Sequence, residues 1–394
     1  MSVVLAKKGS TWGATLLISG CCIGAGMIGL PVMSAVAGFL PASVAMLVAY
    51  LFATGSGLLL LEATLWFKEK VNLLSIVESV LGKAGKYLTW VLYLFLFYSL
   101  FVAYFDGGGQ IVAGSFSQLL HYPISREVGI GICAVIITSA IYAGTKAIDR
   151  INRILMLGLG ASFFALVTLG LSHVEIDHLT TTNWRASLAA LPILLICFGY
   201  QNLVPSLTYY LGRNIRALRL AIIMGNIIPF LIYTIWNYVI IGILPSDVTN
   251  NTNLITDLLL KTTHSRSVHF FVEAFSVFAL MTSFIPNALT FVDFLRDGTA
   301  KMRIKSEFLL YGLVLIPPMI FSLFYPRVFL QALGFAGGFV DLLLFGALPV
   351  AVVWIGRYNK KVEAPYTVAG GKVLLGAIFL VSIGFVILRN LGGL

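Results

Sequence analysis

About eleven apolar runs, each long enough to cross a bilayer, follow one another along almost the whole chain. Inside hydrocarbon every backbone N–H and C=O needs an internal partner, so such runs read as helices. The 394 residues have room for about ten to twelve spans of ~20 residues with short loops. No separate soluble domain is left over. Hydrophobic residues make up 59% and charged residues 11%, against ~45–50% and ~25% in soluble domains. Mean hydropathy is +0.96. A soluble core cannot hide that much apolar surface, so lipid must solvate much of it. The sequence predicts an all-α polytopic membrane protein, a single transmembrane domain over 1–394.

Bounded by charged and turn residues, the runs cover roughly 11–37, 41–66, 86–118, 127–144, 153–172, 187–210, 218–243, 268–294, 307–325, 328–355 and 371–389. Twenty of the 26 Lys and Arg residues then fall on one side, including Lys7, Lys8, Lys301, Arg303 and Lys305. Only Arg126, Arg185, Lys261, Arg266, Arg327 and Arg389 fall on the other. Basic loops stay in the cytoplasm, which predicts a cytoplasmic N-terminus. The same scatter accounts for the net charge of +10. It points to loops facing anionic membrane lipid rather than to a nucleic-acid patch. The lysines near the N-terminus precede no clear small-residue cleavage site, so the first run reads as a span and not as a signal peptide. Cys21, Cys22, Cys133 and Cys197 lie within apolar runs with no paired spacing, which suits small packing residues better than disulfides or metal ligands. The histidines (His121, His173, His178, His264 and His269) all fall on the outer side. No metal site and no cofactor is predicted.

Two spans are built to come apart. The first carries "GCCIGAGMIGLP", with Gly20, Gly24, Gly26 and Gly29 before Pro31. Glycine and proline are the poorest helix formers. Alone, Gly20-x-x-x-Gly24 would equally suit close helix packing. The sixth carries "CFGYQNLVP", where Gly199 and Pro205 flank the polar pair Gln201–Asn202. Polar amides in hydrocarbon are costly and should face a cavity or another helix. The two interrupted spans lie five apart and run in opposite directions. That pattern predicts a 5+5 inverted repeat, with halves over about 11–172 and 187–355 and an extra helix over about 371–389, and a binding site at the breaks. The first break places Gly20, Cys22, Gly24, Ala25 and Gly26 there. The second adds Phe198, Gly199, Tyr200, Gln201 and Asn202. A half-helix N-terminus attracts a carboxylate and unwound carbonyls attract an ammonium, so an α-amino acid suits both.

"GAGMIGLP", "LLLLEATLW" and "FGYQNLVPSLTYYLG" resemble the bacterial aromatic amino acid permeases, the tyrosine/tryptophan permease family of the amino acid–polyamine–cation superfamily. The resemblance covers nearly the whole chain. It implies a leucine-transporter-like fold and import of tyrosine or tryptophan across the bacterial inner membrane, driven by protons. In that fold span three lines the site, and here it is rich in aromatics. Phe97, Phe101 and Tyr104 share one face by i, i+4, i+7 spacing. Phe97 and Phe101 are therefore expected at the substrate. Gln201 or Asn202 could hydrogen-bond a phenol or an indole, or equally a neighbouring helix.

Intramembrane carboxylates are functional by default. Asp106, Glu273 and above all Asp341, mid-span in "GGFVDLLLF", are candidates to carry a coupled proton. Thr282 and Ser283 keep the hydroxyls that make a sodium site in the resembled fold. Sodium coupling and a broader neutral amino acid specificity stand as alternatives, as does a receptor that does not transport. A channel would need a continuous polar stripe or charged ring. An enzyme would need a catalytic cluster within the spans. Neither is seen.

Overall fold

The computed structural model describes residues 9–143, 145–244, 266–298 and 306–390. Lys7, Lys8, Lys261, His264, Lys301, Arg303 and Lys305 lie outside the described residues. The described chain is helical, with no strand. The first run forms α1 (Thr11–Cys22) and α2 (Gly26–Ala37), bent by 61° at the break between them. There follow α3 (Phe39–Leu65), α4 (Leu73–Leu120), α5 (Arg126–Ala143), α6 (Thr145–Gly170) and the short α7 (Ile176–Leu179). The sixth run is α8 (Trp184–Cys197) and α9 (Val204–Tyr210), followed by α10 (Ile215–Ile243), α11 (Arg266–Gly298) and α12 (Glu307–Phe324). The long α13 (Phe329–Asn359) and α14 (Gly371–Asn390) complete the chain.

Among the described residues, nine helices are long and apolar enough to cross a membrane, or ten with the bent pair counted as one span. The eleventh expected run is α14, whose apolar stretch Gly371–Ile387 is shorter. The third run differs at its start. Hydropathy places it from about residue 86, whereas α4 begins at Leu73. Asn72 caps that start by accepting from the Ser75 N–H at 2.9 Å, and Leu73, Ile76 and Val77 are buried. This first part is amphipathic rather than wholly apolar, so hydropathy alone passes over it. It joins the apolar part at Gly82, where φ is 72°.

Side-chain caps mark the helix starts elsewhere too. Ser10 accepts from Gly13 at 2.9 Å, and Asn183 from Ala186 and Asn214 from Ala217 at 3.1 Å. Each cap satisfies one of the N–H groups a helix leaves open at its beginning. Around the breaks, α1 packs along α10 and α2 along α8, with α3 against both α8 and α10. The pairs α6–α11 and α4–α5 pack beside them. α13 lies against α8, α4 and α14. Over Ala336–Ala347 it widens into a π-helix, a form that is rare and often found at functional sites.

Both ends of α13 are held by buried ion pairs. Before its N-terminus, Asp106 accepts from Arg126 Nη1 at 2.7 Å, from the Arg327 N–H at 3.2 Å and from the Phe329 N–H at 3.0 Å. Arg126 also donates to the carbonyls of Ser322 and Leu323 at the end of α12. At the far end, Arg357 Nε donates to Glu62 Oε1 at 2.5 Å and Nη2 to Oε2. The Val368 N–H completes the shell of Glu62 at 2.7 Å. Breaking such a pair leaves an uncompensated buried charge, at about 3–5 kcal/mol. We expect Arg357→Met to lower the melting temperature in detergent clearly, and Glu62→Gln combined with Arg357→Met to cost less than the two single changes added together. Additive costs would show that the pair is not coupled.

Candidate functional site

The two breaks meet. α1 ends at Cys22 and α2 starts at Gly26, while α8 ends at Cys197 and a turn of 3₁₀-helix, Gln201–Leu203, leads into α9. A fully buried hydroxyl, Tyr233 on α10, donates to the carbonyls of both Cys22, at 2.6 Å, and Cys197, at 3.0 Å. Those carbonyls end helices and have no N–H of their own to meet. The same face of α10 holds the rest of the first span. Its Gly225 carbonyl accepts from the Ser19 hydroxyl at 2.9 Å, and Trp236 Nε1 donates to the Met27 carbonyl at 3.0 Å. On the other flank the Ala25 N–H donates to Ser283 Oγ of α11 at 3.0 Å.

A cavity of ≈ 80 Å³ opens at this junction, several times the ~10–15 Å³ that one water needs. Cys22, Ala25 and Gly26 line it from the first break, and Gly199 and Asn202 from the second. Phe97 lines it from α4, Ser283 from α11 and Asp341 from the π-helical part of α13. Thus eight of the residues singled out from sequence come together on one cavity. The fit at the breaks is close. A Cβ on Gly24 would lie 2.0 Å from Ser283 Oγ, and one on Gly26 would lie 2.5 Å from Cys197 Sγ.

The other expected residues stand off the cavity. Gly20 lies within α1, nearest to Met156. Phe101 packs edge-on against Phe284, ring centres 5.1 Å apart. Phe198 packs against Tyr233 and Tyr50. Tyr200 donates its hydroxyl to the Ala53 carbonyl at 3.1 Å, and Gln201 Oε1 accepts from the Tyr200 N–H at 2.9 Å. These three support the second break from behind. Thr282 donates to the Ala279 carbonyl at 3.0 Å. Asp106 is held in its ion pair, and Glu273 is half-buried on α11.

Tyr93 and Tyr104 belong to the aromatic-rich third span read from sequence, whereas Phe345 and Asn287 are not evident from it. Tyr93 and Phe345 form an aromatic wall with Phe97: Tyr93 stacks on Phe97 at 6.2 Å and meets Phe345 edge-on at 6.1 Å. Asn287 donates to the Tyr104 hydroxyl at 3.2 Å, and both line the cavity. Asn287 stands one helical turn after Ser283, on the same face, and that spacing is a signal that could have found it. Cys21 and Cys197 add thiols. Among the described residues, no group of His, Cys, Asp and Glu is arranged to hold a metal ion.

Cys21 lines the cavity and is exposed, Cys22 and Cys197 line it but are buried, and Cys133 is buried away from it. A small water-soluble methanethiosulfonate should therefore modify one thiol in the folded protein and all four after denaturation. Mass spectrometry should place the single label on Cys21, and Cys21→Ser should remove it. Labelling of Cys133 ahead of Cys21 would contradict the cavity's opening.

The chain matches the tryptophan/tyrosine permease family over residues 7–389. It is 32% identical to the tyrosine-specific transport system 1 of Haemophilus influenzae, covering 96% of this chain and 97% of that one. It is 28% identical to the tryptophan-specific transport protein of the same organism, covering 96% and 94%. It is 26% identical to glutamine transporter 2 of Aliivibrio fischeri, covering 94% and 96%. With the match running almost end to end through a multi-pass helical bundle, the protein belongs to the tryptophan/tyrosine permease family, whose members are transporters and not enzymes.

Proposed function

We propose that this protein imports tyrosine, tryptophan or both across the bacterial cytoplasmic membrane by proton symport. The observation that carries the reading is the meeting of two helix breaks with an aromatic wall on one cavity. Gly26 begins α2, so its N–H and the helix dipole suit the substrate carboxylate. Tyr93, Phe97 and Phe345 suit an aromatic side chain, at ~0.5–1.5 kcal/mol per ring pair beyond area burial. The polar groups of Asn202 and Asn287 suit a phenol or an indole N–H. The tyrosine-specific and tryptophan-specific relatives support the same substrate class.

In this reading the halves over about 11–172 and 187–355 are inverted repeats, the N-terminus is cytoplasmic, and the last helix is an addition. The coupled proton needs a titratable group in reach of the cavity. Asp341, Asp106 and Glu273 are the carboxylates to test for that role, and Asp106 is already paired with Arg126. A second reading, sodium coupling, is favoured by Ser283, whose hydroxyl touches the first break, with Thr282 beside it. The glutamine relative keeps a broader specificity as the alternative on the substrate side.

Uptake into proteoliposomes tests both parts. Tyrosine, tryptophan and phenylalanine should compete with one another, and alanine, glutamate and lysine should not. Strong competition by alanine or leucine would leave a general amino acid carrier. Accumulation should follow an imposed pH gradient at constant sodium. Accumulation that tracks sodium and ignores pH would move the coupling to Thr282 and Ser283. Gly24→Leu and Gly26→Leu should each abolish uptake at normal expression, because the added side chains enter the junction of the breaks; normal uptake in both would remove the site from this cavity.

A further inference from the structure

Asp341 is the group this cavity leaves unexplained. Its side chain is 1% exposed, it lines the cavity, and neither carboxylate oxygen meets a hydrogen-bond donor among the described residues. A carboxylate taken out of water needs a positive charge, a proton or a set of donors. Elsewhere in this protein the need is met from within: Asp106 has Arg126, and Glu62 has Arg357. Around Asp341 it is not. No Lys, Arg or His is among the residues lining the cavity. The other titratable groups there are the phenols of Tyr93 and Tyr104 and the thiols of Cys21, Cys22 and Cys197. None of these brings a positive charge.

The carbonyls point the same way. An ammonium bound at broken helices would ordinarily be met by bare carbonyl oxygens. Here most of those at the second break already have donors. Cys197 O and, across the junction, Cys22 O share the single Tyr233 hydroxyl proton. Leu195 O takes the Phe198 N–H and Ile196 O the Gly199 N–H, while Phe198 O shares the Tyr200 N–H with Gln201 Oε1. Gly199 O meets a weak donor, the Cys21 thiol at 3.4 Å. Asp341 is next to this residue: its Oδ1 lies 3.8 Å from where a Cβ on Gly199 would stand. The weakly satisfied carbonyl and the unsatisfied carboxylate thus belong to residues that neighbour each other at the break.

We propose that Asp341 is the acceptor for the α-ammonium group of the amino acid substrate, with the Gly199 carbonyl beside it. This rests on the proposed amino acid import and assigns the residue that makes the site require an amino group. The ammonium and a proton compete for the same carboxylate oxygens. A substrate ammonium seated on Asp341 therefore disfavours its protonation, and the co-transported proton travels on another group. The cargo supplies the positive charge that the protein itself supplies to Asp106 and Glu62.

The test is binding to the purified full-length protein in nanodiscs, with L-tyrosine and L-tryptophan as probes. Each is compared with its analogue lacking the amino group, 3-(4-hydroxyphenyl)propionate and indole-3-propionate. A charge-assisted hydrogen bond predicts that the wild type prefers the amino acid by about tenfold or more. Asp341→Asn should erase most of that preference, by weakening the amino acid and leaving the analogue nearly unchanged. Asp341→Glu, which keeps the charge, should retain the preference. The wild-type comparison needs no variant: equal affinity for amino acid and analogue overturns the proposal at once. It is also overturned if Asp341→Asn keeps the full preference and loses only accumulation driven by pH, which would make Asp341 the proton site. Wild type that binds glutamine or alanine but neither aromatic amino acid would count against the aromatic reading alone, and the same pair of measurements would then be made with that amino acid and its analogue lacking the amino group.

Discussion

A helix interrupted inside a membrane strands backbone groups where neither water nor lipid can meet them, and this protein's architecture follows from how those groups are satisfied. Each unmet group costs several kcal/mol in hydrocarbon. Tyr233 is the central part of the answer, since one buried hydroxyl serves the carbonyl at the end of α1 and the carbonyl at the end of α8. It brings two segments far apart in sequence to the same point. Ser283 meets the first break from the opposite flank through the Ala25 N–H. The junction therefore has one helix on each side, α10 and α11, and the cavity lies toward α11, bordered also by α4 and α13. Gly24 and Gly26 fit there because there is no room for even a Cβ at either position.

The sequence marks the breaks clearly because breaking a helix takes residues that seldom stand in apolar spans. Four glycines before Pro31, and Gln201–Asn202 before Pro205, interrupt otherwise uniform runs. The walls of the cavity are harder to read. Along α4, Phe97 and Phe101 differ by one turn, yet Phe97 lines the cavity and Phe101 is enclosed by Phe284 and Phe291. Aromatic residues surround this helix on more than one side, so periodicity names a face without saying what the face meets. Tyr233 carries no local signal at all. It is a tyrosine in an apolar helix, and its function comes from two chain segments that meet only in the folded protein. Tyr200 shows the converse: it stands at a break, but its hydroxyl is drawn to the Ala53 carbonyl of α3, where it buttresses the turn.

The carboxylates divide by the same accounting. Asp106 and Glu62 each collect an arginine and at least one backbone N–H, and together they fix the two ends of α13 to α4 and α3. Pairs of that kind are costly to form and more costly to break, which makes them suited to holding position. Between them the helix is not held in the same way. Its Ala336–Ala347 segment has π geometry, and Asp341 lies within it. A wider turn changes the direction of side chains relative to a regular α-helix, and in this protein it accompanies the one lining residue that carries a formal charge. The Ile355–Asn359 turn that carries Arg357 is π-helical as well, so widened turns present both the anchoring arginine and the cavity's carboxylate.

Selectivity then reduces to which parts of a solute find partners. The aromatic wall of Tyr93, Phe97 and Phe345 is already self-complementary, with its rings in stacked and edge-on contact. An aliphatic side chain would gain area burial there but no ring geometry, a difference of about 0.5–1.5 kcal/mol per ring pair, which is roughly up to tenfold in affinity. That is modest discrimination. Rejection of small aliphatic solutes therefore cannot rest on ring contacts alone. It must also draw on the polar groups that a bound aromatic side chain would satisfy. Asn287 and Tyr104 bond to each other and line the cavity together with Asn202. A solute that reaches these groups without a donor or acceptor of its own leaves them dry and unmet, at about 1–3 kcal/mol for each. In the proposed reading, substrates that carry a phenol or an indole N–H avoid that cost, whereas phenylalanine keeps only the ring contacts and should compete more weakly.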